Sequence, residues 1–136
     1  MEAKAIARYI RMSPRKIRRV TQPLKGLGLR EAQALLDAVP HRAARVLRRL
    51  VDSAAANAET NHGMDRDELW VARAYVDAGP TLRRWRAASG GRVGMIRKRT
   101  SHISVVLSDE AAPEPEPPRR RGRMRARGRA EGGAPR

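Results

Sequence analysis

The sequence predicts an α+β domain in which three helices pack on a small three-stranded antiparallel sheet, with a long extended β-hairpin arm. Between residues 14 and 61, apolar residues recur at helical spacing in three separate segments. One segment before these helices and two after them alternate apolar and polar residues, as strands do. Helices grouped between strands in this way indicate one helical layer on an antiparallel sheet.

The first predicted strand and helix meet at a serine and a proline. The strand spans Ala3 to Met12. Ser13 then supplies a helix N-cap, and Pro14 suits the first helical position because an amide there would have no partner. Gly26 and Gly28 end this helix. Its buried face follows helical spacing at Ile17, Val20 and Leu24.

Two more helices are predicted before the sheet resumes. The second spans Arg30 to Val39 and stops at Pro40, which cannot continue a helix. The third and longest spans His41 to Asn61, and Gly63 marks its C-terminus. Its apolar stripe contains small residues that let another layer approach closely: Ala43, Val46, Leu47, Leu50, Ala54 and Ala58.

The last two predicted strands, Leu69 to Asp77 and Ile103 to Ser108, are joined by a segment called the arm, Gly79 to Ser101. Connections this long inside a domain are usually functional or disordered. Two extended halves of about ten residues would reach roughly 30 Å. No acidic residue lies in the arm, so we expect its positive side chains to repel one another until RNA binds. Its cations are Arg83, Arg84, Arg86, Arg92, Arg97, Lys98 and Arg99.

The composition points to a nucleic-acid partner. The chain carries 30 Lys and Arg against 14 Asp and Glu, a formal net charge of +16. Most of these cations are Arg, which pairs with phosphate and stacks on bases, although a GC-rich genome would explain the same bias. No Cys is present, which excludes disulfides, thiolate zinc sites and a thiol nucleophile. With no Phe, two Trp and two Tyr, we expect contact mainly with the nucleic-acid backbone.

The sequence divides into a domain and a tail. Residues 1–109, including the arm at 79–101, are expected to form one RNA-binding domain. Residues 110–136, rich first in Pro and Glu and then in Arg, are expected to be disordered. No apolar run approaches the ~20 residues that span a bilayer, and the first residues lack a secretory signal. We therefore expect a cytoplasmic protein without a membrane partner.

A second candidate RNA-binding surface lies where the first strand meets the first helix. A helix N-terminus attracts phosphate there, although a solvated helix face is the alternative. The residues concerned are Arg8, Arg11, Arg15, Lys16, Arg18 and Arg19. Within the arm, Trp85 suits either a stacked base or a prop for the arm itself, and the sequence does not decide between them.

Nothing in the sequence predicts catalysis. His41, His62 and His102 fall in three different elements, and no metalloprotease, hydrolase or phosphate-loop spacing occurs. Ser101 and His102 are adjacent on a strand, so their side chains point to opposite faces. We therefore expect no enzyme, no metal, no cofactor and no small-molecule substrate.

Four segments together resemble one protein family. They are Met12–Arg18, Ser53–Ala58, Ala74–Arg84 and Lys98–Val106. In this order they resemble the bacterial type of the large-subunit ribosomal protein numbered twenty-two in the L series, over roughly residues 3–109. The resemblance implies an α+β body near the polypeptide exit and a hairpin inserted into ribosomal RNA. It also implies a hairpin tip that lines the nascent-peptide exit tunnel, and a role in subunit assembly.

The resemblance also implies where RNA is contacted. At the junction the RNA-facing residues would be Arg11, Ser13, Arg15, Lys16 and Arg18. In and next to the arm they would be Arg83, Arg84, Lys98, Arg99, Thr100 and His102. The tip would comprise Ala88, Ser89, Gly90, Gly91, Arg92 and Val93, without the basic residue that the family usually carries before its turn glycine. The implied partners are several domains of large-subunit RNA, neighbouring ribosomal proteins and the nascent polypeptide.

The resulting hypothesis is a structural constituent of the large ribosomal subunit that binds ribosomal RNA through Arg and Lys. Arg86, Arg92 and Arg97 are included among its RNA contacts because of their place in the arm. A basic DNA-compacting protein or a general RNA chaperone would explain the charge but would not need a long arm. A module that binds an acidic protein partner would ignore RNA.

Overall fold

The computed structural model describes residues 1–110, so the tail predicted over 110–136 lies outside the described residues except for Glu110. These residues contain three helices and one three-stranded antiparallel sheet, which confirms the predicted α+β class. In chain order the elements are β1 (Glu2–Ile10), α1 (Pro14–Thr21), α2 (Leu29–Ala38), α3 (Arg42–His62), β2 (Trp70–Ala87) and β3 (Val93–Ser108). Within residues 1–110, no helix has the length and apolar character needed to cross a membrane.

The helices end where proline and glycine require it. α1 ends at Thr21, and a 3₁₀ turn over Gln22–Leu24 follows it. Pro23 causes this change because it has no amide to continue the α-helical hydrogen bonds. α3 ends before Gly63, which adopts a left-handed φ of 63° and donates its amide to the Glu59 carbonyl at 3.1 Å.

The sheet places β3 at its centre, between β1 and β2. β1 pairs with β3 from Glu2 opposite Ser108 to Ile10 opposite Ser101. The register shifts by one residue near Tyr9, whose φ of 57° is rare for a side chain other than glycine. This irregularity ends β1 at Ile10, before the predicted boundary at Met12.

β2 and β3 run from the body (residues 1–78 and 102–110) into the arm. They pair from Trp70 opposite Ser108 to Ala87 opposite Val93. Both strands are longer than predicted, because ladder hydrogen bonds use backbone groups and persist where the apolar alternation has ended. A register shift between Ala78 and Thr81 marks the passage from body to arm.

The core lies between the sheet and the helices and consists of aliphatic side chains. Ile17 of α1, Leu47 of α3 and Leu107 of β3 are completely buried. Ala54 and Ala58 of the predicted small-residue stripe are completely buried, as is Ala55 beside them, so the helix backbone can approach its neighbours closely.

The base of the arm is held by a close contact between its two strands. Thr100 is 4% exposed, and its hydroxyl donates to the Pro80 carbonyl at 2.6 Å. A Cβ added to Gly79 would lie 2.5 Å from the Thr100 Oγ1 and 3.2 Å from the His102 Nε2. Only glycine fits here without a shift of these neighbours.

Candidate nucleic-acid interface

Three stretches of the chain that are distant in sequence meet in one groove at the base of the arm. The β1–α1 junction, the start of α3 and the arm part of β3 enclose about 920 Å³. Within residues 1–110, no carboxylate lines this groove. The lining cations are Arg11, Lys16, Arg19, Arg42, Arg97, Lys98 and Arg99. The junction and the arm, which the sequence presents as two surfaces, therefore form one cationic site.

Two helix N-termini add positive potential to the groove. α1 begins at Pro14 and α3 at Arg42, and neither helix has an acidic residue in its first turn. Ser13 and His41 hold the N-cap positions, and neither side chain caps its helix in the described part of the chain. The first backbone amides of a helix carry partial positive charge and bind anions. Side-chain and backbone donors can therefore hold phosphate together in this groove.

A second cationic surface continues from the groove along α3. It shares His41 and Arg42 with the groove. Arg45 and Arg49 are exposed on it, whereas Arg48 is ion-paired and thus partly neutralised. The cationic site therefore extends beyond the groove on the α3 side.

The ion pairs among the described residues involve only cations outside the groove and the arm. Among residues 1–110, no Arg or Lys of the groove or the arm makes an ion pair. Besides Arg48, the paired side chains are Arg30 with Asp67 at 2.7 Å, Arg66 with Glu59 at 3.7 Å and Arg73 with Glu2 at 2.6 Å. The positive charge of the groove and the arm is therefore available to a phosphate.

The arm places cations on both of its faces. Residues that are directly opposite on paired strands share a face, and successive residues alternate between faces. One face carries Thr81 opposite Arg99, Arg83 opposite Arg97, Trp85 opposite Met95 and Ala87 opposite Val93. The other carries Leu82 opposite Lys98, Arg84 opposite Ile96 and Arg86 opposite Gly94. The Arg83–Arg97 pair juxtaposes like charges, which destabilises a free hairpin.

The predicted junction residues have different roles. Arg11, Ser13 and Lys16 line the groove, whereas Arg8 and Arg15 are exposed outside its lining. Arg18 also lies outside the lining. Its guanidinium donates to the Val76 carbonyl through Nε at 3.1 Å and Nη2 at 2.7 Å, which ties α1 to β2.

Thr100 and His102 support the arm. Thr100 is buried and bonded as described above. The His102 Nδ1 accepts a hydrogen bond from the Tyr9 amide at 3.0 Å, and the two rings pack edge to face at 4.8 Å. Their contact with RNA remains a prediction, and the site proposed below does not depend on it.

The predicted tip forms the turn between β2 and β3, and all of its residues from 88 to 93 are exposed. The Ala88 amide donates to the Arg92 carbonyl at 2.8 Å and closes the turn. Gly90 and Gly91 adopt left-handed φ values of 70° and 71°, which glycine tolerates without strain.

His41 and Arg42 were not among the predicted site residues. Arg19, a member of the predicted junction cluster, lines the groove together with Lys16, because helical spacing places the two on one face. His41 and Arg42 reach the groove because the start of α3 lies beside β3, a tertiary contact without a local signal. In the described part of the chain, no cluster of three or more His, Asp or Glu residues could hold a metal ion.

Comparison with known proteins gives consistent matches over the described domain. A profile of the family "Ribosomal protein L22p/L17e" matches residues 5–108. The large ribosomal subunit protein uL22 of Pelotomaculum thermopropionicum is 56% identical over 110 residues, which is 81% of this chain and 97% of the relative. The proteins of that name from Halothermothrix orenii and Rippkaea orientalis are 47% and 50% identical, over 81% and 83% of this chain and 97% and 94% of their own length.

Proposed function

The chain belongs to the ribosomal protein L22p/L17e family, and we propose that it binds ribosomal RNA through the groove and the arm. It is a structural protein of the large ribosomal subunit and works in the cytoplasm, as the sequence resemblance implied. The family is one of structural ribosomal proteins, and we infer that this member has no catalytic role.

One observation carries the proposal: within residues 1–110, no cation of the groove or the arm is ion-paired, and no carboxylate lines the groove. Arg83 lies directly opposite Arg97, and Arg99 borders the groove. Two unit charges about 5 Å apart repel by roughly 1 kcal/mol in water. A phosphate between them replaces this repulsion with two charge-assisted hydrogen bonds, each stronger than a neutral one. RNA binding thus stabilises the paired strands of the arm, which like-charge repulsion destabilises in the free protein.

The geometry suits a protein that holds separate RNA segments together. The groove receives one segment at the base of the arm, while the exposed cations of both arm faces contact RNA on either side. Such contacts reduce the repulsion between crowded phosphates and favour assembly of the subunit. The family resemblance adds that the tip, residues 88–93, lines the exit tunnel and faces the nascent polypeptide.

The second candidate function, compaction of DNA or general RNA chaperoning, has less support. The family and the names of the relatives favour the ribosome over DNA.

The test is the salt dependence of binding by the full chain to deproteinised large-subunit RNA. A protein that contacts 6–10 phosphates loses about 10³–10⁵ in affinity between about 50 and 200 mM salt. We expect a loss in this range, and we expect structured RNA to compete better than duplex DNA of equal length. Equal competition by duplex DNA, or an affinity indifferent to salt, would contradict the proposal. Co-sedimentation with the large subunit on a gradient is the test in cell extract.

A further inference from the structure

The aromatic side chains of this protein are unusual in their position. The core of the described residues contains only aliphatic side chains and methionine. Trp85 is 68% exposed in the arm, although burying a Trp would be among the largest apolar gains available to the chain. The exposure of so large an aromatic side chain, in a chain with few aromatic residues, indicates that Trp85 contacts a ligand.

The neighbours of Trp85 follow from the register of the arm. Met95 lies directly opposite, and Val93 lies one pair nearer the tip on the same face. These two side chains are also exposed, by 42% and 65%. One pair nearer the body, the same face carries Arg83 opposite Arg97. This face therefore presents an apolar patch next to two cations.

Packing within the hairpin does not account for the patch. On the opposite face Leu82 and Ile96 are half-buried, and they supply cross-strand apolar contact to the arm. Met95 covers little of the indole, since Trp85 keeps about two thirds of its surface. A prop within the arm would be covered by the arm, whereas Trp85 is 68% exposed.

We propose that Trp85 stacks on an unpaired base of RNA whose adjoining phosphates are held by Arg83 and Arg97. The inference deepens the proposed function and rests on it. An aromatic platform beside cations is the arrangement with which proteins hold single-stranded nucleic acid, and it accepts any base because every base has a π-face. The Met95 thioether adds a polarisable contact at the edge of the platform. The expected ligand is an unstacked nucleotide in a loop or bulge, since bases within a duplex cannot reach the indole.

Fluorescence can test the proposal on the full chain. Trp85 and Trp70 are the only tryptophans, and Trp70 lies at the other end of β2, away from the groove and the arm tip. In a Trp70→Phe background all indole emission comes from Trp85. Titration with deproteinised large-subunit RNA at low salt should quench this emission, because a stacked base quenches indole. Filter binding in parallel measures the affinity itself.

Three substitutions of Trp85 separate stacking from apolar packing. We expect Trp85→Ala to lower the affinity between about fivefold and 150-fold, the range that one base–aromatic stack contributes. Trp85→Leu keeps apolar volume without a π-face and should behave like Trp85→Ala, whereas Trp85→Phe should recover most of the affinity. The salt slope should stay the same in all three, since no phosphate contact is lost.

The outcomes are distinct. Quenching together with loss in the leucine variant supports stacking. Unchanged emission of the bound protein would show that Trp85 stays in solvent. A blue shift without quenching, together with full affinity for Trp85→Leu, would show that Trp85 contacts an apolar protein surface. Either result would overturn this inference and leave the proposed function standing. If the unsubstituted chain did not bind this RNA at all, the proposed function would fail, and the inference with it.

Discussion

The body and the arm share the strands β2 and β3, yet they are stabilised in opposite ways. The body buries aliphatic side chains beneath three helices and, among the described residues, pairs four of its arginines with carboxylates. The arm consists of the same two strands without a helix, has no carboxylate, and is exposed along nearly its whole length. An isolated two-stranded hairpin is at best marginally stable in water. The body therefore has the contacts to fold by itself, whereas we expect the arm to depend on its ligand.

The boundary between the two regions is sharp. At Gly79 the strands approach so closely that no side chain fits beside Thr100, and the register shifts by one residue before Thr81. Inward of this point, β3 residues such as Ile103 are completely buried, whereas beyond it Arg99 and Arg97 are exposed.

The largest expected effect comes from reversing charges in the arm. Arg84→Glu with Arg99→Glu should lower the affinity for large-subunit RNA by about a hundredfold or more, because each charge-assisted contact contributes about 1.5–3 kcal/mol. The salt slope should fall by roughly 0.7 to 0.9 for each lost phosphate contact. The free energy of unfolding should change by less than about 0.5 kcal/mol for each exposed site. Filter binding, gradient sedimentation and urea unfolding measure these quantities.

The matched control for this double variant lies in the body. Arg30→Glu with Arg66→Glu changes the net charge by the same amount but removes cations already paired with Asp67 and Glu59. We expect it to incorporate into the large subunit nearly as well as the unsubstituted chain. Equal losses in the two doubles would mean that net charge alone matters, and unchanged assembly of the arm double would contradict the assigned role of the arm.

A core substitution in the body should lower stability and leave the RNA contacts unchanged. Leu47 is completely buried in α3, so Leu47→Ala should lower the free energy of unfolding by about 2–5 kcal/mol. The molecules that remain folded should bind RNA with an unchanged salt slope, because the cations are untouched. A lower melting temperature with the same slope is the expected pair of results. A changed slope would mean that the body core also determines the arm contacts.

A glycine pair tests the boundary itself. Gly79→Ala would drive a Cβ against the Thr100 hydroxyl at 2.5 Å and should destabilise the protein by about 1–3 kcal/mol. Gly94→Ala is the control, since its Cβ would meet only the Arg86 carbonyl at 3.7 Å, and we expect a change within about 0.5 kcal/mol. Urea unfolding of both variants measures the difference. Similar costs at the two positions would show that the close approach at residue 79 is not special.

The smallest effect is expected from a body ion pair. Asp67 and Arg30 are both largely exposed, so Asp67→Asn should cost at most about 0.2–1 kcal/mol of stability. It should leave the RNA affinity unchanged or raise it slightly by freeing Arg30. A loss of RNA affinity would place this part of the body within the interface.

The sequence predicts the body elements well because their signals are local. α3 and its end at Gly63 follow from helical spacing and a glycine with positive φ. The extended hairpin arm was predicted from the long basic connection between two strands, but its pairing has no local signal, since cations replace the apolar alternation there. Its register also depends on the shift between Ala78 and Thr81. Without that shift Arg83 would lie opposite Ile96, and the two faces of the arm would carry different residues.

The groove was only partly predictable from the sequence. Composition indicated an anionic partner and located the cations, but their meeting depends on α3 starting beside β3. The same limit applies to Arg18, which contacts a backbone carbonyl. Every residue has a backbone carbonyl, so no sequence pattern identifies which one Arg18 contacts.

Amide hydrogen exchange on the full chain, with and without large-subunit RNA, tests the central claim most directly. Exchange reports local opening, and the two regions are measured in one sample. We expect the arm amides, such as those of Arg86 and Arg92, to exchange rapidly in the free protein and to slow strongly with RNA, while α3 amides around Leu47 stay protected throughout. Strong protection of the arm without RNA, or arm exchange that RNA leaves unchanged, would contradict the account.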